Sequence, residues 1–170
     1  MRRATDNGAS RLELTLRGVA FLLLAGALYY LVSLLDEHVL RPTAAVFGWL
    51  LSLLGQQHEV DGAFIRGGAQ NFEIVGECTA VLPTVLLVSA IACYPAPWRS
   101  RVVGVLIGVP AVLLVNQLRL LTLWFVHGHA VDAFELVHVY LWQPLMVVLV
   151  LVLFVLWLER LAPRRAAATG

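Results

Sequence analysis

The sequence predicts an all-α integral membrane protein: a four-span helical bundle with a short interfacial helix and a small outer β-hairpin. Three observations predict it. Of the 170 residues, 60% are hydrophobic and only 14% are charged, where soluble domains run about 45–50% apolar and about 25% charged. Four apolar segments approach the roughly 20 residues that a membrane helix needs. The arginines divide unevenly between the two sides those segments define. A net charge of +1 makes no electrostatic case for nucleic acid, so no such partner is expected.

The four spans are expected near 18–35, 79–95, 102–126 and 137–158, within a single membrane domain, 1–170. The first is longer than the apolar core of a signal peptide and no A-x-A site follows it, so it reads as a signal anchor. Residues 43–54 (TAAVFGWLLSLL) are too short to span. As a helix they rise about 18 Å against a core of about 30 Å. Arg41-Pro42 bounds them on one side and Gly55-Gln56-Gln57-His58 on the other. This segment is expected to lie flat on one membrane face. Residues 59–77 partly alternate and carry the β-formers Val60, Phe64, Ile65, Phe72, Ile74 and Val75. A break at Gly67-Gly68 predicts a hairpin that runs into the second span.

With four spans, both termini share a side with the loop 96–101. That side collects Arg2, Arg3, Arg11, Arg17, Arg99, Arg101, Arg160, Arg164 and Arg165, and the other keeps only Arg41 and Arg66. Positive residues stay cytoplasmic, so both termini are expected inside. The outer face then receives residues 36–78 and 127–136, most of the acids, and His38, His58, His127, His129 and His138. Chemistry is expected there.

Cys78 falls at the outer mouth of the second span. A helix N-terminus favours an anion, so its thiol is expected to ionise more readily than usual. Cys93 lies about 22 Å further along the same helix, beyond disulfide reach. The plain alternative is that Cys78 is a small packed hydrophobe.

Arg119 lies in VPAVLLVNQLRLLTLWFV (109–126), about 10 Å below the outer end of the third span. Burying a guanidinium in lipid costs at least about 2.5–3.5 kcal/mol, so Arg119 is expected to face the bundle interior. Asn116, one turn away on the same face, is its expected hydrogen-bond partner. The competing reading is a snorkelling anchor.

His138 begins the fourth span, and Glu135, three residues earlier, is placed to orient its imidazole. The competing reading puts His138 beside Tyr140 and Trp142 in an aromatic belt, where Trp49, Trp98, Trp124 and Trp157 also read as interface anchors. A thiol, a guanidinium and an imidazole on three outer helix ends are the parts list for acyl transfer. Glu77 and Thr79 flank the nucleophile as supporting residues.

The order of these residues resembles the exosortase/archaeosortase family: Cys78 in GECTA, then N-x-x-R at Asn116 to Arg119, then His138 in ELVH at the start of the last span. The resemblance covers about residues 18–160. The chain is similar to the compact members paired with IPTLxxWG-type tails. It departs from many members in having Cys78-Thr79-Ala80 where they have Cys-Ser-Gly, which bears on substrate class more than on the nucleophile. The resemblance implies a cysteine peptidase or transpeptidase of the bacterial inner membrane, its site facing the periplasm. It implies Cys78, Arg119 and His138 as catalytic residues, with no cofactor and no metal. Its partners would be the lipid bilayer, the C-terminal sorting-signal helix of exported proteins, and an acceptor nucleophile.

Two readings from other classes stay open. His127, His129, His138, Glu135 and Cys78 are candidate ligands for an outer-face metal-binding protein. A non-catalytic assembly or scaffold protein would use Cys78 only for packing.

Overall fold

The computed structural model describes residues 2–67 and 70–168, with side chains over 12–67 and 70–160 other than Asp36. The expected hairpin break at Gly68 lies outside the described residues, as do the side chains of Arg2, Arg3, Arg11, Asp36, Arg164 and Arg165. The element order is α1 (Arg2–Ser33), α2 (Asp36–Leu53), β1 (Glu59–Asp61), β2 (Phe64–Gly67), β3 (Gln70–Glu73), α3 (Val81–Cys93), α4 (Trp98–His129) and α5 (Gln143–Ala168). A 3-10 turn, Gly76–Cys78, precedes α3, and a π-helical turn, Leu136–Trp142, precedes α5.

Three helical stretches have the length and hydropathy to cross a membrane: Leu12–Ser33, Trp98–His129 and Val131–Arg160. Leu22, Leu106, Leu114 and Leu151 lie exposed on them, the kind of continuous apolar surface that lipid covers. The second expected span, 79–95, is a 13-residue helix instead. It rises about 20 Å, short of the roughly 30 Å hydrocarbon core. Its position supplies the reason. α3 packs against α1, α4 and α5, and a helix apolar on all sides belongs inside a bundle. A helix wrapped by protein need not match the lipid thickness.

α2 begins at Asp36 and continues through Pro42, which overturns the expectation that Arg41-Pro42 blocks it. The ring removes the hydrogen bond to the carbonyl of His38, an exposed residue that water can reach. On either side, Arg41 Nη2 donates to Glu37 Oε2 at 2.9 Å and Thr43 Oγ1 donates to the Val39 carbonyl at 2.7 Å. Ala44, Phe47 and Leu51 are fully buried; their spacing makes one helical stripe. α2 ends where expected, with Gly55 in the left-handed region at φ 72°.

The expected hairpin is a three-stranded antiparallel sheet in the order β1-β2-β3. The additional turn crosses Gly62-Ala63, with Asp61 opposite Phe64 and Gly62 at φ 63°. Glycine at the first position of a two-residue loop is a hairpin signal. Ile65 and Phe72 are register partners on adjacent strands, and both are buried. They join Phe47 of α2 and Leu120, Leu123 and Trp124 of α4 in one core under the sheet. The rings of Phe47, Phe72 and Trp124 meet pairwise at centroid distances of 6.0–6.2 Å. Such aromatic contacts fix orientation as well as area.

The opposite end of the bundle has its own core, with Leu87 and Ile91 of α3, Val112 of α4 and Trp157 of α5. Here α4 and α5 approach so closely that a Cβ on Gly104 would lie 2.6 Å from Trp157 Nε1. That indole donates to the Ser100 carbonyl at 2.9 Å.

Candidate functional site

Cys78 ends the 3-10 turn that links the sheet to α3. Its backbone N–H donates to the Val75 carbonyl at 2.8 Å, and the Thr79 N–H and Oγ1 both donate to the Gly76 carbonyl, at 3.1 and 2.6 Å. Thr79 therefore locks the turn rather than facing a ligand with a free hydroxyl. Asn116 Nδ2 donates to the Cys78 carbonyl at 3.1 Å. This corrects the expected partnership: Asn116 holds the cysteine turn, and among the described residues no hydrogen bond joins it to Arg119.

The tether has a geometric consequence. Arg119 follows Asn116 by three residues on α4, so both project from one side of the helix. With Asn116 tied to the Cys78 turn, Arg119 is brought beside it. Arg119 is 3% exposed, so it is not a snorkelling anchor. Its Nε and Nη2 are buried without hydrogen-bond partners, and no carboxylate lies in salt-bridge range among the described residues. Its charge acts on Cys78, and it also acts on His138.

Cys78 is 3% exposed and has no disulfide partner. Burial pushes its thiol above the ordinary value, against the opposing pull of the Val75 hydrogen bond and the Arg119 charge. The expected lowering is overturned for the resting protein. A helix terminus and one cation favour the thiolate, but removing the sulfur from water disfavours it more.

His138 sits on the π-helical turn before α5. Pro144, two residues beyond that turn, has no N–H to give to the Tyr140 carbonyl and clashes with it in a regular helix, so the chain widens there. His138 Nε2 is buried and unpartnered. Its ring packs on Phe134 at 5.7 Å. Glu135 is exposed, and among the described residues no hydrogen bond or ion pair joins it to His138. His127 belongs to the same aromatic group, 5.5 Å from Phe134 and 6.3 Å from Phe72.

Trp142, expected at the membrane interface, is 6% exposed and lies in the core that contains Cys78. Trp124 and Trp157 are also buried, while Trp49 and Trp98 are exposed. An aromatic at a helix end reads as a belt residue from sequence; here Trp142 closes the widened turn and is buried.

A cavity of about 290 Å³ opens at this end, with Gly76, Glu77 and Thr79 at one side, Arg119 and Gln143 at another, and Tyr29, Leu82 and Met146 along its apolar walls. A cavity at the far end, between Gly104 and Trp157, has Arg160 as its sole titratable lining residue. The polar chemistry of the bundle is therefore concentrated at the sheet end. Among the described residues, no three of His, Cys, Asp and Glu gather as a metal site.

A family model described as transmembrane exosortase matches residues 6–158. Comparison with curated proteins and with solved structures finds no match.

Proposed function

The chain belongs to the transmembrane exosortase family, and on that premise we propose that it is a membrane cysteine transpeptidase. It cleaves the C-terminal sorting signals of exported proteins and passes the proteins to an acceptor nucleophile. The reading places a single membrane domain in the bacterial inner membrane, both termini cytoplasmic and the sheet end facing the periplasm. The observation that carries it is a buried guanidinium without an anion partner, Arg119, whose charge acts on both the Cys78 thiol and the His138 imidazole.

The steps follow from that arrangement. The Cys78 sulfur attacks the scissile carbonyl as its proton passes to His138. A C–S bond forms and the carbonyl electrons move onto oxygen. Arg119 holds that oxyanion in a site of low dielectric. Collapse breaks the C–N bond, and His138 returns the proton to the leaving amine. The acceptor then gives its proton to His138 and attacks the thioester; collapse breaks the C–S bond, and His138 returns the proton to the Cys78 sulfur. Asn116 positions the cysteine through its carbonyl, Thr79 stiffens the turn, and Glu77 stands at the cavity mouth. Glu135, exposed beside this turn, serves through solvent rather than by a direct bond.

The test is co-expression with an exported reporter carrying a sorting tail: recognition motif, one apolar helix, basic end. Cys78→Ala should insert in the membrane and leave the reporter uncut. Normal processing by that variant would sink the mechanism.

The burial of Cys78 also favours a second reading, a non-catalytic scaffold in which the thiol only packs. That reading requires wild type and Cys78→Ala to leave the reporter equally uncut.

A further inference from the structure

Buried polar atoms are almost always satisfied, and each exception calls for an explanation. Among the described residues, the buried nitrogen atoms without a hydrogen-bond partner are Arg101 Nε, Arg119 Nε and Nη2, His138 Nε2 and Trp142 Nε1. The Arg119 charge acts on both Cys78 and His138, and Trp142 shares a core with Cys78. Arg119 and His138 already have roles in the proposed reaction. The Trp142 indole N–H has none.

Its situation is unusual on three grounds. The ring is 6% exposed, and among the described residues no protein acceptor meets its N–H. It shares the sheet-end core with Cys78. It also sits one wide turn after His138 on the same π-helical segment, and such segments recur at functional sites. A phenylalanine would fill most of this volume without burying an unmatched donor. An indole N–H left orphaned in the resting fold is a liability to stability. It is accounted for if its acceptor arrives with the substrate. A donor that waits for the oxyanion rather than for a ground-state partner is the arrangement that lowers an acyl-transfer barrier most.

We propose that Trp142 Nε1–H is a second oxyanion donor, acting with the Arg119 guanidinium on the carbonyl oxygen attacked by Cys78. This rests on the transpeptidase reading. It makes Trp142 a catalytic residue that touches the reacting oxygen, where sequence assigns it only to the membrane interface.

The test separates chemistry that builds an oxyanion from chemistry that does not. The full chain, carrying Cys93→Ser so that Cys78 is the single thiol, is reconstituted in phospholipid nanodiscs. It is treated with p-nitrophenyl acetate or with iodoacetamide. With the ester, the Cys78 sulfur adds to the carbonyl, the carbonyl electrons move to oxygen, and collapse expels p-nitrophenolate as the thiol proton passes to His138. With iodoacetamide, sulfur displaces iodide at a saturated carbon and no oxyanion forms. Trp142→Phe is expected to slow acetylation of Cys78 at least about tenfold and to leave alkylation at the wild-type rate. Equal slowing of both reactions would mean that the ring only packs, and would overturn the proposal. Unchanged acetylation would overturn it too, while leaving the cysteine mechanism standing. Ester turnover in the parent protein that persists in Cys78→Ala would remove the nucleophile itself, and the transpeptidase reading would fall together with the role of Trp142.

Discussion

Asn116 and Cys78 are joined by one hydrogen bond, side chain to backbone, at 3.1 Å across 38 residues of sequence. It ties the turn between sheet and helix to the middle of α4. Everything the site needs from α4 is delivered through that bond, because Arg119 stands on the same side of the same helix. The other amide atom, Asn116 Oδ1, is buried without a partner, so the residue is held by its donor alone.

Asn116→Ala should therefore release the cysteine turn. Loss of a buried partner costs about 1–3 kcal/mol, and reporter processing should fall with it. Asn116→Asp should be worse, since a carboxylate would face the Cys78 carbonyl with nothing to donate. Thermal unfolding of both variants in detergent, beside a processing assay, tests this. Equal stability of Asn116→Ala and wild type would show that the bond does not hold the turn.

The raised thiol gives a pH dependence of definite sign. Cys78 keeps its proton in the folded protein to higher pH than it does unfolded. Stability from this group is full below the ordinary thiol value of about 8.5 and is lost as pH rises towards the folded value. Melting temperature should fall over that alkaline range in wild type and fall less in Cys78→Ser. In a Cys93→Ser background, alkylation of Cys78 should be slow near neutrality and accelerate above the ordinary range. Arg119→Ala should shift that profile further upward, because the Arg119 charge pulls the thiol down. A profile unmoved by Arg119→Ala would uncouple the pair.

Arg119 is retained at the expense of the fold. A buried cation with no ion pair is unfavourable, and an apolar residue of similar length should fit better. Arg119→Met is expected to raise stability by about 1 kcal/mol or more and to abolish processing. Arg119→Lys should also fail to process, since a point charge lacks the planar fork that holds an oxyanion from two nitrogens. A fully active lysine variant would reduce Arg119 to a generic positive charge.

The far end of the bundle makes a separable prediction. A methyl on Gly104 would meet Trp157 Nε1 at 2.6 Å, displacing the indole from Ser100. Gly104→Ala should cost about 1–3 kcal/mol of stability by overpacking, although alanine is the better helix former by about 1 kcal/mol. Gly26→Ala is the control, because a Cβ there meets nothing within 4 Å, and it should be neutral or stabilising. Thermal melts of the two variants in one lipid mixture compare them; equal melting temperatures would mean that the Gly104 approach is not tight.

The membrane character, the long apolar helices, and the positions of Cys78 and His138 at helix starts and of Arg119 within a span were legible because hydropathy and helical rise are local properties. Other features were not. The length of α3 depends on what surrounds it, and a sequence window cannot tell a helix enclosed by protein from one facing lipid. Pro42 reads as a stop, yet an exposed second turn tolerates it. The turn at Gly62-Ala63 carried a leading glycine that the glycine pair at 67–68 overshadowed. Asn116 was paired with its neighbour on the helix, and its true acceptor came from another element. Trp142 is buried at the close of a π-helical turn whose local mark is the proline at 144.

The clamp of Trp157 on Ser100 has a mechanical consequence. α5 is pinned there, about 28 Å along its axis from His138, while its other end rests on a widened turn with unpartnered side-chain nitrogens. The helix is thus a lever with its fulcrum far from the chemistry. A rocking of about 5° about that fulcrum carries the imidazole through about 2 Å. Loosening the fulcrum with Trp157→Phe should broaden the distance distribution between spin labels at 118 and 140; an unchanged distribution would place the pivot elsewhere. A displacement of that size separates a formed hydrogen bond from a broken one, so the contacts of His138 can change without any bend in the helix.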